Sequence, residues 1–344
     1  DEAEAAIGLI MLRDAETLEA IWGNALAVIT ACIRGFISAA DGHDLICADY
    51  SAIEARVIAV LAGEEWRLDV FAGHGKIYEA SACQMFNMTM ADFEQHKKET
   101  NSHHPARKKG KVSELALGYQ GGVGAMGKFG ADKFMTRAEM KTTVKTWRDA
   151  NRKICQFWYD LEAAGKAAVN APGVVYAVGL ISYQMRGDVL YCRLPSGREL
   201  AYHEPRLTPV WVVWQSTGEI EDDGQPVFER KEYKYPVDGS REDSKLSCMT
   251  EDKGRWLRRS LYGGLLAENV TQATSRDLLA EALLRVEAAG YPITMHVHDE
   301  IVAEIRKGFG SVEQFEAIMA QNPIWAKDWP IKAAGGWIGL RYRK

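Results

Sequence analysis

The sequence holds no C-x-x-C pair: its six cysteines (Cys32, Cys47, Cys83, Cys155, Cys192 and Cys248) are scattered along 344 residues. That scatter argues against a zinc ribbon and fits reduced thiols in a cytosolic protein. A cationic excess is missing too. The formal net charge of −5 and pI near 6.0 exclude a chain that coats nucleic acid through global charge. No uninterrupted apolar run approaches the roughly 20 residues of a membrane span, and no basic-then-apolar leader is present, so no membrane association is expected. Internal repeats and low-complexity tracts are absent. The chain opens at Asp1, without an initiator Met and directly in helical sequence, which leads us to expect a fragment or processed product. What remains is ordinary globular composition, 47% hydrophobic and 26% charged, with length for roughly two domains.

Residues 1–38 read as helical from their apolar spacing. Asp41-Gly42 makes a turn, and residues 45–48 form a short buried strand. Residues 51–61 resume a helical pattern, with Val57, Val60 and Leu61 on one face. Further helices are predicted over 78–93, 105–118 and 136–169. After Pro172 the pattern changes to β-branched and aromatic residues with turns at Pro195-Ser196-Gly197 and Asp223-Gly224, predicting a set of hairpins. Residues 238–254 are polar and predict a mobile loop. A helix over 268–289 precedes two short strands, 294–298 and 301–305, joined at Asp299-Glu300.

Two acids and a basic helix stand out. Asp49 closes an apolar strand, so its carboxylate is aimed out of a sheet end, where ligands bind in many proteins with sheets of this kind. Ser51-x-x-Glu54 beside it also fits a capping box, the ordinary mark of a helix start. In His296-Val297-His298-Asp299-Glu300 the two histidines alternate onto one side of a strand. Asp-Glu is a poor choice for a two-residue hairpin turn, which favours Asn-Gly or Asp-Gly, and a local rule broken at one point often marks function. Between the acids, Arg107, Lys111, Leu115 and Tyr119 recur every four residues and form a slowly winding stripe on a helix. Its charged end suits phosphates and its apolar end a base and sugar, although a charge run is more commonly a solvated face. Paired carboxylates for divalent cations, with a cationic helix for a triphosphate, point to nucleotidyl transfer. Gly122-Val123-Gly124-Ala125-Met126-Gly127 satisfies G-x-G-x-x-G, but a basic helix rather than a strand precedes it. It also nearly makes a P-loop, yet Phe129 stands where Ser or Thr must hold Mg²⁺. A flexible loop is the expectation there.

These segments resemble the family A DNA polymerases, in particular the bacteriophage-type branch. Asp49-Tyr50-Ser51-Ala52-Ile53-Glu54-Ala55-Arg56 is similar to the first palm motif, Arg107-Lys108-Lys109-Gly110-Lys111 through Leu115 to Tyr119 to the fingers helix, and His298-Asp299-Glu300 to the second palm motif. Glu268-Asn269-Val270-Thr271-Gln272 resembles the palm helix that touches primer-template. The resemblance implies an α+β fold: a right-hand polymerase fragment with an antiparallel palm sheet, a mainly helical fingers domain and a β-rich insertion. It divides the chain into 1–54 (palm, first part, with preceding helices), 55–260 (fingers, with the insertion at 172–254) and 261–344 (palm, second part). It implies template-directed DNA synthesis on primer-template DNA with dNTPs, two Mg²⁺ ions for which Mn²⁺ could substitute, and a location in a bacterial host cytoplasm. A thumb or exonuclease portion is expected outside this chain.

The same resemblance implies roles. Asp49 and Asp299 would hold the metals, with Glu300 and His298 supporting the metal site and primer end. Arg107 and Lys111 would bind phosphates, Lys111 also giving a proton to leaving pyrophosphate. Leu115 would meet the incoming nucleotide, and Tyr119 and Glu54 would crowd the sugar C2′ position. Arg56, Asn269 and Gln272 are candidates for duplex contacts. Leu115 replaces the usual aromatic residue and Ala116 the usual glycine, which puts ring stacking in doubt. The rival readings are a nucleic-acid-binding remnant inactive without a thumb, a single-subunit RNA polymerase, and a dinucleotide-binding oxidoreductase. Glu54, and Glu300 rather than Ser after Asp299, favour DNA over RNA.

Overall fold

The structure, a computed structural model, describes residues 2–220 and 226–343. The first helices are α1 (Glu2–Met11), α2 (Ala15–Trp22) and α3 (Ala25–Cys32), the last two started by Asp14 and Asn24 side chains that accept from backbone N–H groups. Strand β1 (His43–Tyr50) follows. Helices α4 (Ile53–Ala62), α5 (Glu65–Ala72), α6 (Ile77–Phe86), α7 (Met90–Thr100), α8 (Pro105–Leu117), α9 (Val123–Lys128), α10 (Arg137–Ala150) and α11 (Arg152–Asn170) come next. Strands β2 (Val175–Val178), β3 (Ile181–Arg186), β4 (Val189–Arg193), β5 (Glu199–Ile220), β6 (Pro226–Tyr233), β7 (Arg241–Asp252) and β8 (Arg255–Ser260) make up the predicted hairpin region. The chain closes with α12 (Gly263–Ala288), β9 (Ile293–Val297), β10 (Glu300–Arg306), α13 (Val312–Met319) and β11 (Ala333–Gly339).

The chain forms two compact units, Asp1–Ile53 with Ser275–Lys344, and Glu54–Thr274. In the first, an antiparallel sheet runs β11-β1-β10-β9. One of its faces buries Leu45, Cys47 and Val302 with Ala39 and Tyr342, and Met295 and Trp337 pack against them. Tyr50, buried among apolar neighbours, donates its hydroxyl hydrogen to the Met319 carbonyl at the end of α13 (2.9 Å), and burial raises its pKa to about 12. The second unit carries the helices α4–α11 and a sheet in the order β2-β3-β4-β5-β7-β8, with β6 paired to β5. Here α11 lies on the sheet, close enough that Gly165 stands against Leu246.

Several boundaries differ from expectation, each for a local reason. The predicted helix 78–93 is two helices, because Asn87 turns left-handed (φ 50°) and Thr89 with Asp92 starts α7 in a capping box. The tract 136–169 breaks at Asn151, whose buried amide donates to the Trp147 carbonyl (2.7 Å). The glycine segment after α8 is the short helix α9, not a flexible loop. Most of 238–254 is strand β7, held between β5 and β8, where polarity suggested a loop. Helix α12 begins earlier than predicted. There Gly264 lies so close to the Tyr119 carbonyl (2.3 Å from an added Cβ) that only glycine permits the approach. The turn expected at Asp223-Gly224 lies outside the described residues. Among the described residues no single helix is long and apolar enough to cross a membrane, though α2 with Ala25–Phe36, bent by 90°, passes that test as a pair.

Candidate active site

In the first unit, the strand and hairpin that carry the acids are hydrogen-bonded neighbours. Asp49 sits opposite Glu300 in the β1–β10 ladder, and the Tyr50 N–H donates to the Asp299 carbonyl (3.2 Å). An early strand end and a late hairpin tip therefore converge, although they lie about 250 residues apart by subtraction (299 − 49). The hairpin tip is His298-Asp299, not Asp299-Glu300. His298 adopts the left-handed φ of 57° that a tight turn needs, and Glu300 is the first residue of β10. The expected alternation of His296 and His298 on one strand face therefore stops at Val297, the last residue of β9. His298 is exposed, and its Nδ1 lies 3.2 Å from Asp299 Oδ1.

Glu300 is buried at 2% exposure. Burial first, and then its carboxylate, push up the Cys47 thiol and the Tyr342 phenol. Asp49 and Glu300, with Cys47, Gly335, Trp337 and Arg343, line a cleft of about 210 Å³, whereas Asp299 is outside that lining. Gly335 (φ 75°) keeps this cleft open: a Cβ there would stand 3.3 Å from Asp49 Oδ1. Among the described residues no set of three or more His, Cys, Asp or Glu side chains is arranged to hold a metal ion. Mg²⁺, however, keeps waters and is usually held by one or two carboxylates with substrate phosphates, so the two oxygen-bearing aspartates on paired backbone fit it by donor chemistry.

In the second unit, α8 starts at Pro105, with His104 accepting from the Ala106 N–H, a favoured arrangement for a first turn. Ala106, Gly110, Val112, Ser113, Ala116 and Leu117 are buried, which turns Lys108, Lys111 and Leu115 outward. Gly110 is what lets α8 approach α6, since a Cβ there would meet the Tyr78 carbonyl oxygen at 2.1 Å. Arg107 pairs with Glu79 (2.8 Å) and lies over the Tyr78 ring at 5.3 Å, which fixes its direction. Lys111 is exposed and makes no ion pair with a described residue. Leu115 is 45% exposed.

Tyr119 donates its hydroxyl to Glu54 (2.7 Å), and Gln272 reaches the other oxygen of that carboxylate at 3.5 Å. Burial and the Glu54 charge hold the Tyr119 phenol well above its ordinary pKa. Burial and the same charge raise Glu268. Helix α4 starts at Ile53, after a left-handed Ala52 (φ 50°), and the Glu54 carboxylate accepts from Tyr119. The duplex candidates separate. Gln272 is exposed, and Asn269 donates to the Tyr202 hydroxyl (3.1 Å). Arg56 is only 1% exposed with its guanidinium 4.5 Å from the centre of the Phe71 ring. That burial runs against the duplex contact expected of Arg56, which packs α4 onto α5.

The motif reading missed Glu114, on α8 beside Leu115. Its carboxylate pairs with Arg67 of α5, with side chains 3% and 2% exposed, and accepts from Ser81 (2.6 Å) and Trp147 (2.9 Å). Arg67 also donates to Asn151 (2.9 Å). The one signal available was a carboxylate at helical spacing from Gly110 and Leu117, on a face that is otherwise apolar.

No family model matches the chain. It is 40% identical over 345 residues to a DNA polymerase of Bacillus phage SP02, an alignment covering 100% of this chain and 48% of that protein. The chain thus spans about half the length of the curated relative it matches. Among solved structures it resembles the POL domain of Pol1 from M. smegmatis in complex with DNA primer-template and dNTP. The TM-score is 0.52 with 15% identity, covering 90% of this chain and 41% of that one, a likeness of fold. Along its whole length the chain is similar in sequence to a phage DNA polymerase, and in fold to a polymerase domain.

Proposed function

We propose that the protein carries out template-directed DNA synthesis, adding dNTPs to a primer 3′-hydroxyl, with the first unit as palm and the second as fingers plus insertion. The observation that carries this reading is the pairing of the Asp49 strand with the Asp299 hairpin through the Tyr50–Asp299 hydrogen bond. Two Mg²⁺ ions, replaceable by Mn²⁺, held at Asp49 and Asp299 would supply Lewis-acid activation of the hydroxyl and neutralise triphosphate charge. Glu300, buried against Cys47, holds the hairpin that carries Asp299, and exposed His298 is offered to the primer end.

Arg107, braced by Glu79, and Lys111, exposed and unpaired among the described residues, bind phosphates, and Lys111 protonates the departing pyrophosphate. Leu115 meets the base by apolar contact instead of ring stacking. The Tyr119–Glu54 pair, joined at 2.7 Å, makes a rigid wall against a 2′-hydroxyl, which favours deoxyribonucleotides over the ribonucleotides of a single-subunit RNA polymerase. Gln272 and Asn269 face primer-template, and the working location is the host cytoplasm.

A second reading is a nucleic-acid-binding portion that does not turn over alone. Primer extension by this chain with Mg²⁺ separates the two. Extension should occur with dNTPs in preference to rNTPs and fall to background in Asp49→Ala and Asp299→Ala while circular dichroism stays unchanged. Extension surviving in both variants sinks the metal assignment, and none in the parent chain favours the second reading.

A further inference from the structure

Strands β7 and β8 end in a ribbon that the proposed catalytic chemistry leaves without a role. Asp252 pairs with Arg255 across the two-residue turn Lys253-Gly254, both left-handed (φ 52° and 78°), and the Gly254 N–H is tied back to the Glu251 carboxylate. This is the type I′ geometry that matches strand twist, so the ribbon is firmly shaped. Next along β8 is Trp256, opposite Glu251 and 60% exposed, with the His203 ring nearly perpendicular to it at 6.0 Å between ring centres. Arg259 pairs with Asp252 (2.5 Å) and Arg258 with Glu204 (3.6 Å). Lys253 and Arg255 are exposed and make no ion pair with a described residue.

β8 lies at the edge of its sheet, and charged side chains there guard an edge against pairing with other chains. That role accounts for Arg255 and Arg259 but not for a tryptophan left open to water, which adds to the hazard. A flat aromatic face beside uncompensated cations is instead the chemistry that holds single-stranded nucleic acid: an unpaired base stacks and its phosphates meet the charges. Duplex DNA does not satisfy it, because its bases are already stacked on one another. The same sheet also borders a cavity of about 800 Å³ with Tyr159, Trp214 and Tyr262 in its lining. Three of its four cations, Lys166, Arg230 and Lys245, are paired to carboxylates, however, which leaves less charge for phosphate.

We propose that the β7–β8 ribbon is a binding surface for single-stranded DNA, with Trp256 stacking on an unpaired base and Arg255 and Lys253 meeting the adjoining phosphates. It deepens the polymerase reading, for which the unpaired strand would be template ahead of synthesis, but its test needs neither metal nor nucleotide.

The test is fluorescence anisotropy of a labelled oligothymidine and of a blunt duplex, titrated with the full chain and its variants. Trp256→Ala should weaken oligothymidine binding about tenfold, the scale of removing one base stack. Trp256→Phe should keep most of the affinity, and duplex binding should stay put. Lys253→Ala with Arg255→Ala should flatten the dependence of log affinity on log salt by about 0.7 for each phosphate the chain no longer neutralises. Asp49→Ala should bind oligothymidine like the parent chain, so a defect in catalysis and a defect in strand binding remain distinguishable. Unchanged oligothymidine affinity in Trp256→Ala overturns the proposal. So does an equal weakening on the duplex, and so does a parent chain that fails to bind oligothymidine.

Discussion

The buried pair between Arg67 and Glu114 ties α8 to α5, and cutting one side of it should be costly. In Glu114→Leu the Arg67 guanidinium, 2% exposed, keeps its bond to Asn151 (2.9 Å) and the nearby Glu64 charge but loses its ion-pair partner, and Ser81 and Trp147 lose their acceptor. Removing one partner of a buried ion pair costs about 3–5 kcal/mol, and each buried donor left unsatisfied adds about 1–3 kcal/mol. The expected loss is therefore at least about 5 kcal/mol, much of the roughly 5–15 kcal/mol available to a typical domain. Replacing both partners removes the stranded charge. Arg67→Met with Glu114→Leu should recover the part due to the stranded charge, retaining about 2–6 kcal/mol for the Ser81 and Trp147 donors. Urea unfolding followed by tryptophan fluorescence, with matched slopes, gives each value. A single-variant cost below about 1 kcal/mol, or simple additivity of the two single variants, would refute the argument.

Two further outcomes follow from the same unit. Gly110→Ala would ease the helix backbone by about 1 kcal/mol, but it drives a methyl to 2.1 Å from the Tyr78 carbonyl, an overpacking worth about 1–3 kcal/mol. Its melting temperature should fall, and a rise would mean that α8 does not lie against α6 as described. Glu268, with its pKa raised above 4.5 by burial and by Glu54, holds its proton more tightly when folded. Its favourable contribution is complete below the unfolded pKa and is lost as pH rises through the folded one. Glu268→Gln should accordingly melt higher than the parent chain at pH 7 and lose that advantage at pH 4, and a shift that ignores pH would remove Glu268 as its source.

Much of the candidate site could be picked out before the fold, because the features that mark it are local. Asp49 ends an apolar run, and Arg107 to Tyr119 repeat at helical spacing. His298-Asp299-Glu300 joins two short strands. The parts that misled were set by neighbours distant in sequence. Arg56 looked like a cation for DNA, but the Phe71 ring covers it. The polar segment before Gly254 looked like a loop, but strands on both sides satisfy its backbone as a strand. Glu300 looked like a turn residue until His298 took the positive φ.

The order of acid, basic helix and acid, and the change from helical to strand-forming sequence after Pro172, belong to the sequence alone, since periodicity and residue type need no partner to be legible. Which strands are neighbours does not. That β1 lies between β10 and β11, and that Glu114 faces Arg67 instead of solvent, depends on how separated segments bury their apolar faces and satisfy their polar groups together, and only the folded chain decides that.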